Sequence, residues 1–177
     1  VKPSLTTPDP VTLQANLAEL SRQNVTHVIL EASSHGLDQR RMDGVSLTAA
    51  AFTNLTREHL DYHGTFEKYF AAKKRLFAEL LPKNGVAILN ADAPEFWQLS
   101  DLFAGQIISY GHLGSHLKLR QATPTHSGVA VKLTIMEKET DFILPLVGMF
   151  QIHNALCAAG VAIACGATPT DVIRSLS

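Results

Sequence analysis

Four short apolar runs, set apart by helical or irregular stretches, most constrain what this chain can fold into. They are residues 26–31 (THVILE), 49–55 (AAAFTNL), 85–90 (GVAILN) and 106–110 (QIISY). Buried parallel strands read this way, as near-continuous apolar segments, because both faces of such a sheet are covered. Helical signals surround them. Asp9 followed by Pro10 supplies an N-cap and a first-turn proline ahead of Leu13, Leu17 and Leu20 at helical spacing. Thr65 caps a segment predicted to be helical to about Leu81, with Tyr69, Leu76, Phe77 and Leu80 on or near one face. Asp92-Ala-Pro94 predicts another helix towards Ala104. Beyond Gly111 the pattern changes to three consecutive strands, 117–121, 129–136 and 141–146, with turns at 124–128 and 137–140. A helix of small residues follows over 154–165, Gly166 stops it, and Thr170 caps one more. The expected fold is one α/β domain: a mostly parallel sheet flanked by helices, with a small antiparallel sheet in the C-terminal half.

Composition narrows the function classes. Lys and Arg number 15 against 16 Asp and Glu, a net charge of -1, so bulk charge does not draw the chain to nucleic acid or an acidic membrane. A local patch for one phosphorylated ligand stays compatible with that balance. The longest apolar run, 155–167, is broken by glycine and falls short of the ~18 residues that a membrane helix needs. The given residues open without a basic-then-apolar leader, so a secretory signal is not expected. The two cysteines, Cys157 and Cys165, share one predicted helix, which excludes a disulfide scaffold and suits core packing. These features point to a cytoplasmic chain with no nucleic-acid or membrane partner, and a monomer that acts on small molecules is expected.

Open α/β sheets collect ligands at the carboxyl ends of their parallel strands. The first run leads into Glu31-Ala-Ser-Ser-His-Gly36, and the second into a loop carrying Glu58 and His59. If both strands are parallel, these residues share a rim. Lys73 lies two turns into the helix that Thr65 caps. A carboxylate, an imidazole and an amine gathered there could hold a hard cation and a phosphate. Each residue also has a plainer reading: a solvated strand end, a loop histidine, a surface lysine. Their convergence is what favours a site. His59 and His63 have a spacing that zinc sites use, but the HExxH order is absent and Gly64 follows at once. The Gly111–Gly114 stretch is too short for a dinucleotide loop, and no GxxxxGK[ST] phosphate loop occurs in the 177 residues.

Taken in order, several segments form a recognisable set: TTPDP from Thr6, EASSHGL from Glu31, TNLTREHLDYHG from Thr53, YFAAK ending at Lys73, LNAD ending at Asp92, and GMFQIHN ending at Asn154. The set resembles the central domain of the Mur ligases, over nearly the whole chain. SSHGL followed by DYHGT is similar to the subgroup (MurE type) that adds the third peptide residue to UDP-N-acetylmuramoyl-L-alanyl-D-glutamate. The glutamate, histidine and lysine are shared with folylpolyglutamate ligases.

The resemblance implies ATP-dependent amide formation in peptidoglycan synthesis. A substrate carboxylate is phosphorylated by ATP, and the amine of a diamino acid such as meso-diaminopimelate or lysine attacks the acyl phosphate. It implies Mg2+ held by Glu31, His59 and Lys73, with Lys73 also catalytic and carried as a carbamate. Substrate contacts would fall to Thr6, Thr7, Ser33, Gln39 and Arg41, and Asn154 would hold the nucleotide base at a helix start. Gln151 stands where the family carries the first asparagine of FNxxN. The resemblance further implies that the 177 residues are part of a central ATP-binding domain, without its phosphate-loop unit and without the C-terminal ligase domain. Two alternatives stay open at this point: another Mur or folylpolyglutamate-type ligase, and a non-catalytic fragment that binds nucleotide sugars.

Overall fold

A computed structural model describes residues 5–177. They divide into two compact units. One comprises the described residues to Leu47 with Thr56–Leu80; the other comprises Thr48–Leu55 with Leu81–Ser177.

The first unit is helical. Helix α1 (Pro10–Arg22) begins as its sequence predicts. The Asp9 carboxylate accepts from the amides of Val11 and Thr12 at 3.1 and 3.0 Å, groups that no helical carbonyl can reach. Three further helices follow, α2 (Ser34–Asp38), α3 (Leu60–His63) and α4 (Phe66–Arg75). Thr65 caps α4 through the Lys68 amide. The helical run predicted to about Leu81 reaches Leu80, but it changes from α4 into a π turn over Leu76–Leu80. The wider turn leaves the consecutive Leu76 and Phe77 both buried. Arg75 pins α4 to α2: its guanidinium donates to the Leu37 carbonyl and reaches Asp43 and Glu79, each at 2.7 Å. Leu37, Met42, Tyr69 and Phe70 are buried in this unit.

The expected strand over 26–31 is absent. The segment has no regular structure, and its apolar side chains face water: Ile29 is 86% exposed. Apolar composition alone does not make a strand, which needs a neighbour to take its amides and carbonyls. The segment forms no such ladder among the described residues. Glu31 therefore does not sit at a strand end.

The second unit is built on one six-stranded sheet whose spatial order follows the chain. The strands are β1 (Ala49–Phe52), β2 (Val86–Asn90), β3 (Gln106–Gly111), β4 (Leu117–Thr125), β5 (Gly128–Ile135) and β6 (Lys138–Leu144). Strands β1 to β4 are parallel and β4 to β6 antiparallel. The antiparallel part is not a separate sheet. Two residue pairs, Tyr110–Leu117 and Gly111–Lys118, fuse it to the parallel part. Strand β2 is buried along its whole length, as a central parallel strand must be.

Helices α5 (Phe96–Leu102), α6 (Phe150–Ala164) and α7 (Pro169–Leu176) complete the unit. Helix α6 packs on β1, β2 and β3. A Cβ at Gly160 would lie 2.7 Å from Ile88 Cγ2, so only glycine permits this approach. Ile88, Ile108, Leu117, Leu133 and Leu156 form the centre of the core. Three helix starts differ from expectation. Asp92 does not open α5, because its carboxylate is engaged elsewhere. Helix α6 begins one turn before Asn154. Thr168 rather than Thr170 caps α7, with Pro169 in its first turn. No helix among the described residues is long and apolar enough to cross a membrane.

Candidate functional site

Seven of the eight predicted ligand and substrate residues outside α6 can be followed through two polar clusters of the helical unit. The first is centred on Thr7, which is fully buried. Its hydroxyl donates to the Glu31 carbonyl at 2.7 Å, accepts from the Ser33 amide at 2.9 Å and lies 2.9 Å from the Ser33 hydroxyl. The Ser33 hydroxyl in turn caps α2 by accepting from the Gly36 amide. Gly36 is needed here, since a Cβ would fall 2.7 Å from Thr7 Cβ. Arg41 donates to the Thr7 carbonyl at 2.9 Å and, through Nε and Nη2, to the Gln39 amide oxygen at 3.0 and 2.5 Å. Gln39 Nε2 donates to the Tyr62 hydroxyl, which donates to Asp38. Three of the five guanidinium donors are thus spent on orientation, and two are left for an anion. The structure brings Thr7, Ser33, Gln39 and Arg41 together; Thr6 is exposed beside them in the chain.

The second cluster surrounds Lys73. Its ammonium lies 5.4 Å from the centroid of the buried Tyr69 ring. Burial pushes this amine below the ordinary lysine range, and the carboxylates of Glu58 and Glu31 pull against that shift. His59 meets the other side of the aromatic group, 5.7 Å from the Tyr69 ring and 5.1 Å from that of His35. His59 takes a left-handed backbone (φ 57°) at the start of α3, and its side chain caps nothing. A non-glycine residue held in this conformation is uncommon and marks a position fixed by its surroundings. His63 stacks on Tyr69 at 5.3 Å and is buried, with Nε2 unpaired. Burial holds its imidazole below the usual range, reinforced by His35 and His59 and opposed by Asp38 and Asp61. Lys74, the neighbouring lysine, lies over the Phe70 ring instead.

Glu31, His59 and Lys73 therefore belong to one unit: His59 and Lys73 both lie against the Tyr69 ring and the Glu31 charge acts on Lys73, although the strand expected to carry Glu31 is missing. Among the described residues no three His, Cys, Asp or Glu side chains are grouped to hold a metal. Glu58 was not among the expected site residues, yet it is the larger of the two carboxylate influences on Lys73. Its place beside His59 in the chain was the available signal.

Asn154 belongs to the sheet unit. It is exposed on the second turn of α6, not at the helix start, and donates to Gln151 Oε1 at 3.1 Å. The two amides that stand at the positions of the FNxxN asparagines are thus hydrogen-bonded to each other. Sequence reasoning missed a second polar centre in this unit, where Asp92 accepts from His153 at 3.0 Å and from the backbone of His112 and Leu113.

The model of the Mur ligase middle domain matches residues 2–162. The UDP-N-acetylmuramoyl-L-alanyl-D-glutamate–2,6-diaminopimelate ligase of Brucella melitensis is 45% identical over 177 residues, covering 98% of this chain and 36% of the relative. The enzyme of the same name from Caulobacter vibrioides has the same identity and coverage. A solved structure of a UDP-N-acetylmuramoyl-L-alanyl-D-glutamate–2,6-diaminopimelate ligase superposes with a TM-score of 0.87 at 30% identity, over 99% of this chain and 37% of that one. The chain spans about a third of the length of these relatives. With residues 2–162 matched and the sheet and helices in the same arrangement, the chain belongs to the Mur ligase middle-domain family.

Proposed function

We propose that this chain is part of the central ATP-binding domain of a ligase that joins a diamino acid, such as meso-diaminopimelate, to UDP-N-acetylmuramoyl-L-alanyl-D-glutamate in peptidoglycan synthesis. On this reading the phosphate-loop unit and the C-terminal ligase domain lie in other parts of the full-length protein. The curated relatives carry that activity in their names. The observation that carries the reading is the half-buried amine of Lys73, held below its ordinary range beside Glu31 and Glu58.

Only a neutral amine adds to CO2. Nζ forms a bond to the carbon, a proton leaves, and the side chain changes from cation to anion. Desolvation shifts Lys73 towards the neutral amine, against the pull of Glu58 and Glu31. Glu31, His59 and the resulting carbamate would hold Mg2+, which keeps several water and phosphate oxygens and so asks for few protein ligands. Among the described residues no three native carboxylate, imidazole or thiol side chains are grouped, so on this reading the carbamate oxygens complete the set. The ion supplies charge neutralisation for phosphoryl transfer from ATP. The chain's own residues then orient the substrate. Arg41, fixed by Gln39 and Thr7, presents its remaining donors to a substrate carboxylate or phosphate, with Ser33 and Thr6 beside it. Asn154 would contact the nucleotide base.

The test is 13C NMR of the full-length gene product in labelled bicarbonate, together with ADP release dependent on the muramoyl dipeptide and meso-diaminopimelate. Lys73→Met should remove the carbamate carbon signal and lower turnover about 100-fold or more, in the range of losing one preorganised electrostatic group. Lys74→Met should do neither. Full turnover in Lys73→Met would overturn the reading.

A further inference from the structure

A hydrogen-bond chain runs across the carboxyl ends of three parallel strands in the sheet unit and ends on α6. Asn90 Nδ2, at the end of β2, donates to the Thr53 carbonyl just past β1 at 2.9 Å. Asn90 Oδ1 accepts from the Asp92 amide at 3.0 Å. The Asp92 carboxylate is the node. Oδ1 accepts from the Leu113 amide and Oδ2 from the His112 amide, both at 2.8 Å, just past β3. Oδ2 also accepts from His153 Nε2 at 3.0 Å. A Cβ at Gly111, where φ is 111°, would lie 2.5 Å from Asp92 Oδ2, so glycine is what admits the carboxylate. Burial pushes Asp92 up, but the donors from His153, Leu113 and His112 outweigh it and hold the group ionised below its usual range.

The start of α6 has little else to hold it. Met149 provides no side-chain cap, and Met149 and Phe150 are 47% and 66% exposed. Packing begins only at Ile152. His153 adds a polar tether to the apolar anchors Ile152, Ala155 and Leu156 on the first two turns, one residue before Asn154. A helix turns about 100° per residue, so a small rotation at this end redirects the Asn154 amide.

We propose that Asp92 and His153 form a positioning pair that sets the rotation of α6 and thereby aims Asn154 at the nucleotide base. The inference rests on the reading of Asn154 as the base contact. The pair touches no reacting atom; it acts through Asn154, as partners behind a ligand-contacting residue do elsewhere.

The experiment measures KM for ATP and kcat in the full-length ligase for Asn154→Ala, His153→Ala, His153→Gln and Asp92→Asn. His153→Ala should raise the KM for ATP about tenfold and leave kcat within about twofold, the pattern of lost uniform binding. His153→Gln keeps an N–H donor and should recover most of that loss. Asn154→Ala added to His153→Ala should cost less than it does alone, because the two act on one contact. Asp92→Asn, which weakens the same tether from the other side, should repeat the KM rise and serves if His153→Ala is poorly folded. An unchanged KM in both His153→Ala and Asp92→Asn, with Asn154→Ala impaired, overturns the positioning pair and leaves the function reading intact. An unchanged KM in Asn154→Ala removes the base contact itself, and the pair with it.

Discussion

The 26–31 and 85–90 runs look alike in sequence and meet opposite fates. Ile88 in the second is fully buried in the middle of a six-stranded sheet, whereas Ile29 in the first is 86% exposed on a segment without a ladder. The same contrast separates the two units. The sheet unit is organised by apolar side chains from strands and α6 around one core. The helical unit is organised as much by polar bonds, with Arg75 linking α4 to α2 and Thr7 linking the chain start to Glu31 and Ser33. Side chains that orient a ligand have to be held by directional bonds, and both units carry such bonds, around Thr7 and Arg41 in one and around Asp92 in the other.

Three substitutions would break or sharpen this contrast, read by urea unfolding with hydrogen exchange to localise the effect. The largest loss is expected for Ile88→Ala, about 2–5 kcal/mol, because neighbours on β1, β3 and α6 cannot close the cavity. A loss under about 1 kcal/mol would mean that the sheet is not the stable part. Thr7→Val keeps shape but strips the hydroxyl from the Ser33 amide and the Glu31 carbonyl, and should cost about 1–3 kcal/mol. Its exchange protection should fall around Ser33 and α2 and stay unchanged in β2; equal loss in β2 would argue against a separate polar organisation. Ile29→Ser should change stability by less than about 0.5 kcal/mol, as exposed substitutions do. A loss of about 1.5 kcal/mol or more there would show that the run is buried in solution and that the two apolar runs are equivalent after all.

Much of the sheet unit was legible in the chain. The strand runs at 85–90 and 106–110, the turn to an antiparallel pattern after Gly111, and the small-residue helix all follow from side-chain pattern and punctuation. What could not be read was long-range. Nothing local tells that β4 continues the parallel sheet through two residue pairs, or that Asp92 reaches over to residues 112 and 113 instead of capping α5. In the helical unit the candidate residues came from motif resemblance, and their setting could not be read. Glu31 was placed on a strand that does not form. The π turn after Arg75 carries no composition signal. The influence of Glu58 on Lys73 and the left-handed entry of His59 into α3 are announced by no residue pattern.

The pairing of β1 with β2 has a consequence for how the chain assembles. Ala49 lies opposite Val86, so this contact closes a loop of about 37 residues that includes α3 and α4. During synthesis β1 leaves the ribosome well before its partner exists. At about 5–20 residues per second it waits some seconds as an unpaired apolar strand, long enough for the intervening helices, which form in microseconds or less, to appear first. The order of events is then imposed by topology: the segment bearing Lys73 is made, and its short helices begin to come and go, while the sheet that will flank it in the chain is still one strand.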